Sequence, residues 1–146
     1  MDSTFNPDTF LNTETTEGNS TEFVPVPEGE YNGAISAIKP RSTDSGAAIL
    51  DVTYDIDDAE AAEVTGIKIP KVRQSIFLDI TEQGGLDMGK GKNVQLGKLR
   101  EAIGQNTAGK PWQPGMLIGQ VARITVKHRE WQGAIFADVK GVAALA

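Results

Sequence analysis

The stretch 120–140 holds the residues best suited to binding chemistry, because cations and aromatic rings are interleaved there with apolar side chains. Two alternating runs meet at a short polar turn, which predicts a β-hairpin. Side chains alternate along a strand, so Arg123, Lys127 and Arg129 share one face. A basic face of this kind can pair with the phosphates of a nucleic acid.

A four-residue loop at 130–133 would set the pairing of the two hairpin strands and place Trp131 at the tip. In that register the opposed pairs are Arg129 with Ala134, Lys127 with Phe136, and Thr125 with Asp138. Cations next to flat rings are what a single-stranded nucleic acid needs. The alternative interpretation puts Phe136 in the core and leaves the cations to keep an exposed face soluble.

The composition excludes several classes of site. The chain of 146 residues predicts one domain, and with no cysteine it can form no disulfide and no thiolate metal site. The single histidine, His128, lies on the apolar face of its strand and is expected to be a satisfied core or edge residue. No apolar run approaches a membrane span, and the polar N-terminus predicts no signal peptide, which favours a soluble cytoplasmic protein.

The net charge of −6 is unevenly distributed along the chain. Residues 1–65 carry 14 acids and 2 bases, whereas residues 66–146 carry 12 bases and 6 acids. An acidic protein is normally a poor nucleic-acid binder, because phosphate neutralisation supplies most of the affinity. The basic second half weakens that objection.

Residues 1–22 are acidic and contain no lysine or arginine, which predicts an extended or disordered N-terminal arm. Its apolar residues Phe5, Phe10 and Leu11 could dock on the domain or on a neighbouring subunit; otherwise the arm is a solvated tail. Residues 23–146 form the predicted domain. Alternation and turn residues predict its elements: strands at Tyr31–Lys39, Ala47–Ile56 and Lys71–Ile80, a helix at Asn93–Ile103 capped by Asn93, and the hairpin. Gly33 predicts a bulge or bend in the first strand.

The third strand repeats the pattern of the hairpin, since Lys71, Arg73 and Phe77 share one face. Tyr54 and Trp112 are further candidate stacking rings, and the alternative for Trp112 is a plug over the helix. The acids around Asp51 and Asp55 lack the pattern of a calcium loop. The glycine-rich loop at 81–92 lacks the spacing of a phosphate-binding loop.

The element order, three strands, a helix and two strands, is that of an OB-fold, a five-stranded barrel with its helix between the third and fourth strands. We therefore expect a mainly β, OB-fold-like barrel with an acidic N-terminal arm. In that fold, the loops joining strands one to two and four to five flank the binding face. Here they would be 40–46, which contains Arg41, and 130–133, which contains Trp131.

The sequence also resembles small barrel proteins of bacteriophage replication and recombination gene clusters. The matching runs are PEGEYNGAISAIKPRSTDSGAAILDVTYDI, RQSIFLDI, LGKLREAIG and VARITVKHREWQGAIFADVKGV, which together span about residues 27–142. The resemblance implies a single-stranded DNA-binding protein that protects single strands and works with phage replication or recombination proteins. Many single-strand binders end in an acidic tail, whereas this chain ends in GVAALA.

The leading hypothesis is a sequence-tolerant single-stranded DNA-binding protein, with no cofactor and no enzymatic activity. Its expected contacts are of two kinds: Arg41, Lys71, Arg73, Arg123, Lys127 and Arg129 for phosphates, and Phe77, Trp131, Phe136, Tyr54 and Trp112 for bases. The alternative is a virion structural or accessory protein that forms homo-oligomers through its arm. No acid pair or Ser-His-Asp setting matches a catalytic motif.

Overall fold

The computed structural model describes residues 5–19 and 23–145. The helices are α1 (Pro7–Phe10), α2 (Ala59–Thr65) and α3 (Val94–Ala102), followed by a 3₁₀ turn at Pro114–Leu117. The strands are β1 (Gly29–Ser42), β2 (Ala48–Ile56), β3 (Lys71–Leu78), β4 (Val121–Trp131) and β5 (Ala134–Ala143).

The five strands close into a barrel in the order β1-β2-β3-β5-β4, with β4 returning to β1. All neighbours are antiparallel except β3 and β5, which run parallel and pair only through Arg73 and Asp138. Helix α3 lies between β3 and β4 in the chain. The mainly β, OB-fold-like barrel predicted from the sequence is therefore confirmed.

The core consists of inward-facing apolar residues of all five strands, Leu96 and Leu99 of α3, and three residues from other segments: Val26, Ala61 and Leu117. The largest ring in this core is Tyr54, which is fully buried. Its hydroxyl donates a hydrogen bond of 2.7 Å to Oε1 of Gln74, which is also buried. A buried hydroxyl needs such a partner, so this pair lets the core keep a polar atom.

The β4–β5 hairpin is confirmed, but its predicted register is wrong. Trp131 pairs with Ala134, and Arg129 pairs with Phe136. The loop has two residues instead of four, and both Gln132 and Gly133 adopt positive φ (51° and 79°), as in a type I′ turn. The shift is two residues, an even number, so each side chain keeps its predicted face.

Strand β1 is longer than predicted and bends at a different residue. It continues to Ser42, so Arg41 lies on a strand opposite Ile49 and not in a loop. The register shift lies between Ile35 and Ala37, not at Gly33. Gly33 instead lets two core side chains approach the backbone, because an added Cβ would lie 2.9 Å from Cδ1 of Ile124.

Helix α3 does not use the predicted side-chain cap. Asn93 has a left-handed conformation, and its side chain makes no cap hydrogen bond. Its Oδ1 instead accepts from the backbone N–H of Asp79, and its Nδ2 donates to the carbonyls of Asp79 and Asp87. Asn93 thus ties the end of β3 and the glycine-rich loop to the start of the helix.

The acidic connection after β2 contains helix α2, which is capped by Asp58 through a 2.9 Å bond from the N–H of Ala61. In the arm, residues 5–19 are all exposed and contain the single helical turn α1. The rings of Phe5 and Phe10 lie 5.3 Å apart within it. The rest of the predicted arm lies outside the described residues.

Two glycine substitutions test how the core determines stability. Gly33→Val would push a side chain against Tyr54 and Ile124, so we expect a loss of about 1–3 kcal/mol in the free energy of unfolding. Gly97→Ala is the matched control, since its new methyl group meets nothing within 4 Å, and we expect a gain of about 0.5–1 kcal/mol. Urea denaturation measures both, and an unchanged midpoint for Gly33→Val would contradict the packing described here.

Candidate nucleic-acid interface

The predicted site residues on strands lie on the outer surface of the barrel, apart from Tyr54. The structure divides that surface into two regions that share β3. One region is the outer face of β1, β2 and β3, which includes the β2–β3 face that an OB-fold normally uses for oligonucleotides. The other lies where β3 meets β5 and continues onto the β4–β5 hairpin.

Carboxylates lie at the centre of the β1–β3 face. Asp51 is buried there and accepts from Nε of Arg41 at 2.6 Å and from Oγ of Ser75 at 2.8 Å. Burial acts to raise the pKa of Asp51, but the hydrogen bonds from Arg41 and Ser75 and the charges of Arg41 and Arg73 outweigh it and lower the pKa below its ordinary value. Arg41 is therefore held in an ion pair within the protein.

Asp55 makes a second pair on the same face. Its Oδ1 lies 2.5 Å from Nζ of Lys71 and accepts from Oγ of Ser36 at 2.8 Å. Burial acts to raise the pKa of Asp55, but the bonds from Lys71 and Ser36 and the lysine charge lower it overall. Within residues 5–19 and 23–145, no group of acids and histidines is arranged to hold a metal ion.

A groove of about 250 Å³ opens where β3 and β5 separate, and we call it the seam groove. It is bounded by Lys71 and Arg73 of β3, Arg129 of β4, and Phe136 and Asp138 of β5. Its remaining wall is largely apolar and comes from the chain that leads into β1 and from the connection between α2 and β3: Phe23, Val24, Pro25, Val26, Ile67 and Pro70.

Arg129 organises the hairpin side of the seam groove. Its Nε donates to Oδ2 of Asp138 at 2.6 Å, and its guanidinium carbon lies 5.0 Å from the centre of the Phe136 ring. This geometry is a cation–π contact supported by an ion pair. The actual hairpin register creates it, because Arg129 and Phe136 are directly opposite. Phe136 remains 37% exposed, so it is not a core residue.

The same outward face continues to the hairpin tip. Lys127 lies opposite Asp138 and is exposed. Trp131 is 59% exposed at the last position of β4, beside the turn. The structure therefore brings together six of the eleven predicted site residues on or next to one face: Lys71, Arg73, Lys127, Arg129, Trp131 and Phe136.

Three other predicted residues lie elsewhere on the surface. Phe77 is 62% exposed near the end of β3, opposite Ile49 and about 20 Å along the strand from Lys71. Arg41 lies on the β1 side of the same end, through its own pairing with Ile49. Arg123 points to the β1–β4 contact and donates to Oδ1 of Asn32 at 3.1 Å.

For two of the predicted stacking rings, Tyr54 and Trp112, the prediction is wrong because the ring is buried or half-buried. Tyr54 has no exposed surface and holds Gln74, so it cannot meet a base; burial also raises the pKa of its hydroxyl. Trp112 is half-buried beside α3, where its Nε1 donates to Oε1 of Gln105 at 2.8 Å and its ring lies 4.2 Å from the Arg100 guanidinium. Trp112 therefore packs as a plug against α3, which was the alternative to a stacking ring.

The sequence did not reveal the wall formed by 23–26 or the part played by His128. The signal was the apolar run FVPVP, which predicted an extended lead into the domain but not its place in the wall of the seam groove. His128 fixes this segment: its Nε2 lies 2.8 Å from the carbonyl oxygen of Val26, and its backbone N–H donates to Glu28. His128 is exposed, so the expected core position is wrong while the edge alternative describes it.

No protein-family model matches the sequence, and no curated protein is significantly similar to it. The likeness to phage single-strand binders stays a prediction. Among the described residues, no helix combines the length and the apolar character needed to cross a membrane.

The Asp51 network predicts an acid-dependent loss of stability. A carboxylate whose pKa is lowered by folding stabilises the protein above its unfolded pKa of about 3.8, and that contribution disappears as the pH falls through the folded value. We expect Asp51→Asn to be less stable than wild type near neutral pH, and the difference to shrink as the pH falls below about 5. Urea denaturation across this range measures it.

Asp44→Asn is the matched control, because Asp44 is an exposed loop acid that makes no ion pair among the described residues. It should follow the wild-type curve. A constant gap between wild type and Asp51→Asn at every pH would contradict the pairing of Asp51 with Arg41.

Proposed function

We propose that this protein binds single-stranded DNA, without strong sequence preference, on the outward face formed by β3, β5 and the hairpin. The observation that carries the proposal is the strand register, which aligns cations from β3 and β4 around the aromatic ring of β5. Cations neutralise phosphates, and rings accept any base because every base has a flat π surface. The resemblance to small phage barrel proteins supports a role in phage DNA replication or recombination.

The ion pairs on this face are compatible with phosphate binding. Lys71 and Arg129 are each bonded to a carboxylate but remain about half exposed. Exposed ion pairs contribute only about 0–1 kcal/mol, so a phosphate can share or replace the carboxylate at little cost. The other two cations of the face, Arg73 and Lys127, make no ion pair among the described residues.

A fluorescence titration with oligo-dT tests the proposal, because Trp131 reports contact at the hairpin tip. Four phosphate contacts predict a salt slope of about −3, so raising salt from about 50 to about 200 mM should weaken binding about 50-fold. The double variant Lys127→Gln/Arg129→Gln should reduce the slope by about 1.4 units. The absence of binding at low salt would refute the proposal.

The matched control is Lys98→Gln/Lys110→Gln, which removes two exposed charges on α3 and the following loop, away from the hairpin. It should bind like wild type. Trp131→Ala should cost about 1–3 kcal/mol of binding free energy through the lost base stacking. Because this variant lacks the reporting ring, its affinity is measured by the anisotropy of a labelled oligo-dT. Equal losses in both double variants would mean that only the overall charge matters.

A second candidate function is a structural or accessory role in a virion, in which the arm docks on another copy of the chain. The observation in its favour is the exposed apolar group of the arm, where Phe10 is 55% and Leu11 90% exposed next to helix α1. Side chains of this type gain free energy when a partner covers them.

Light scattering of the full chain and of a variant lacking residues 1–22 separates the two functions. A structural role predicts an assembly that falls to monomers without the arm and has no affinity for oligo-dT. A single-strand binder keeps its oligo-dT affinity without the arm, whatever its assembly state.

A further inference from the structure

The seam groove lies where the pairing of the barrel strands is shortest. Strands β3 and β5 pair at a single position, Arg73 with Asp138, and the groove opens beside that pair. Its apolar wall includes two partly exposed rings, Phe136 of β5 and Phe23 of the segment before β1. An apolar recess bordered by cations fits a ligand that has a flat apolar part and an anionic part.

Arg73 is a cation of the seam groove whose side chain makes no hydrogen bond and no ion pair within the described part of the chain. Its strand partner Asp138, and Asp51, on which its charge acts, are each already bonded to another arginine. Asp138 is held by Arg129 at 2.6 Å, and Asp51 by Arg41 at 2.6 Å. The five N–H donors of an arginine are suited to a phosphate, which they can bind in a bidentate manner.

We infer that the seam groove holds one unstacked base of the bound single strand, with Arg73 on the adjoining phosphate. The inference rests on the proposed function and makes it specific, because it moves the main base contact from the usual β1–β3 face to the seam. On the β1–β3 face, Arg41 is paired with the buried Asp51.

The stack that a base would join is already present in the protein. The Arg129 guanidinium lies over the Phe136 ring at 5.0 Å, and both guanidinium planes and aromatic rings stack on unpaired bases. Phe23, which is 72% exposed, supplies a second ring on the same groove. Stacking of this kind does not depend on base identity, which agrees with a sequence-tolerant binder.

Photo-cross-linking tests the inference directly. An oligo-dT with one 5-iodo-2′-deoxyuridine at its centre is bound to the full-length protein and irradiated, and the linked residue is identified by fragment-ion sequencing. Sequencing is needed because Trp131 and Phe136 fall in the same tryptic peptide, 130–140. We expect links at Phe136 or Phe23.

The outcomes separate the inference from the proposed function. Binding with links only at Trp131, Phe77 or other residues, or with no link at all, would overturn the seam groove as a base site and leave DNA binding intact. The absence of binding would overturn both. Links at Phe23 or Phe136 support the inference.

Matched variants give an independent measure by titration with oligo-dT. Phe23→Ala should weaken binding about fivefold or more, whereas Phe10→Ala, which removes an exposed ring from the arm, should leave it unchanged. Arg73→Gln should reduce the salt slope by about 0.7, and Arg73→Lys should restore it. Wild-type affinity for both Phe23→Ala and Arg73→Gln would overturn the inference, provided that circular dichroism shows folded variants.

Discussion

A closed five-stranded sheet gives each strand residue two possible positions, the core or the outer surface, and this constraint determines most of the molecule. Tyr54 lies on the same face of β2 as its apolar residues and is fully buried in the core, so no ligand can contact its ring. Asp51 and Asp55 alternate with those positions and are placed outside, in reach of cations on both neighbouring strands. The same alternation that builds the core therefore also builds the ion pairs of the surface.

The contact between β3 and β5 is where this closure is weakest. The two strands pair through one residue on each side, while every other pair of neighbours has an extended ladder. The sheet opens beside that contact, and the segment 23–26, held by His128, forms part of the resulting groove. A recess in a small barrel thus arises from incomplete pairing, without any added domain or loop.

Surface charge on this protein acts locally, in spite of its acidic total. On the β1–β3 face Arg41 and Lys71 are each paired with a carboxylate, and the buried Asp51 keeps its charge because Arg41 and Ser75 bond to it. Around the seam groove the cations exceed the acids, and Arg73 has no carboxylate of its own among the described residues. Net charge alone would have excluded a polyanion from both regions, but the pairing of individual residues distinguishes them.

The sequence by itself determined the faces of the strand residues outside the bulge of β1, and where α3 lies, because alternation and helical periodicity are local properties. It placed Arg129 and Phe136 outside correctly even though the hairpin register was off by two. Only the tertiary structure decided the partners: the I′ turn at Gln132 and Gly133, the Arg41–Asp51 pair, and the groove beside Arg73. Partners depend on strand order and register, which join residues distant in the chain, and no local pattern in the sequence reports them.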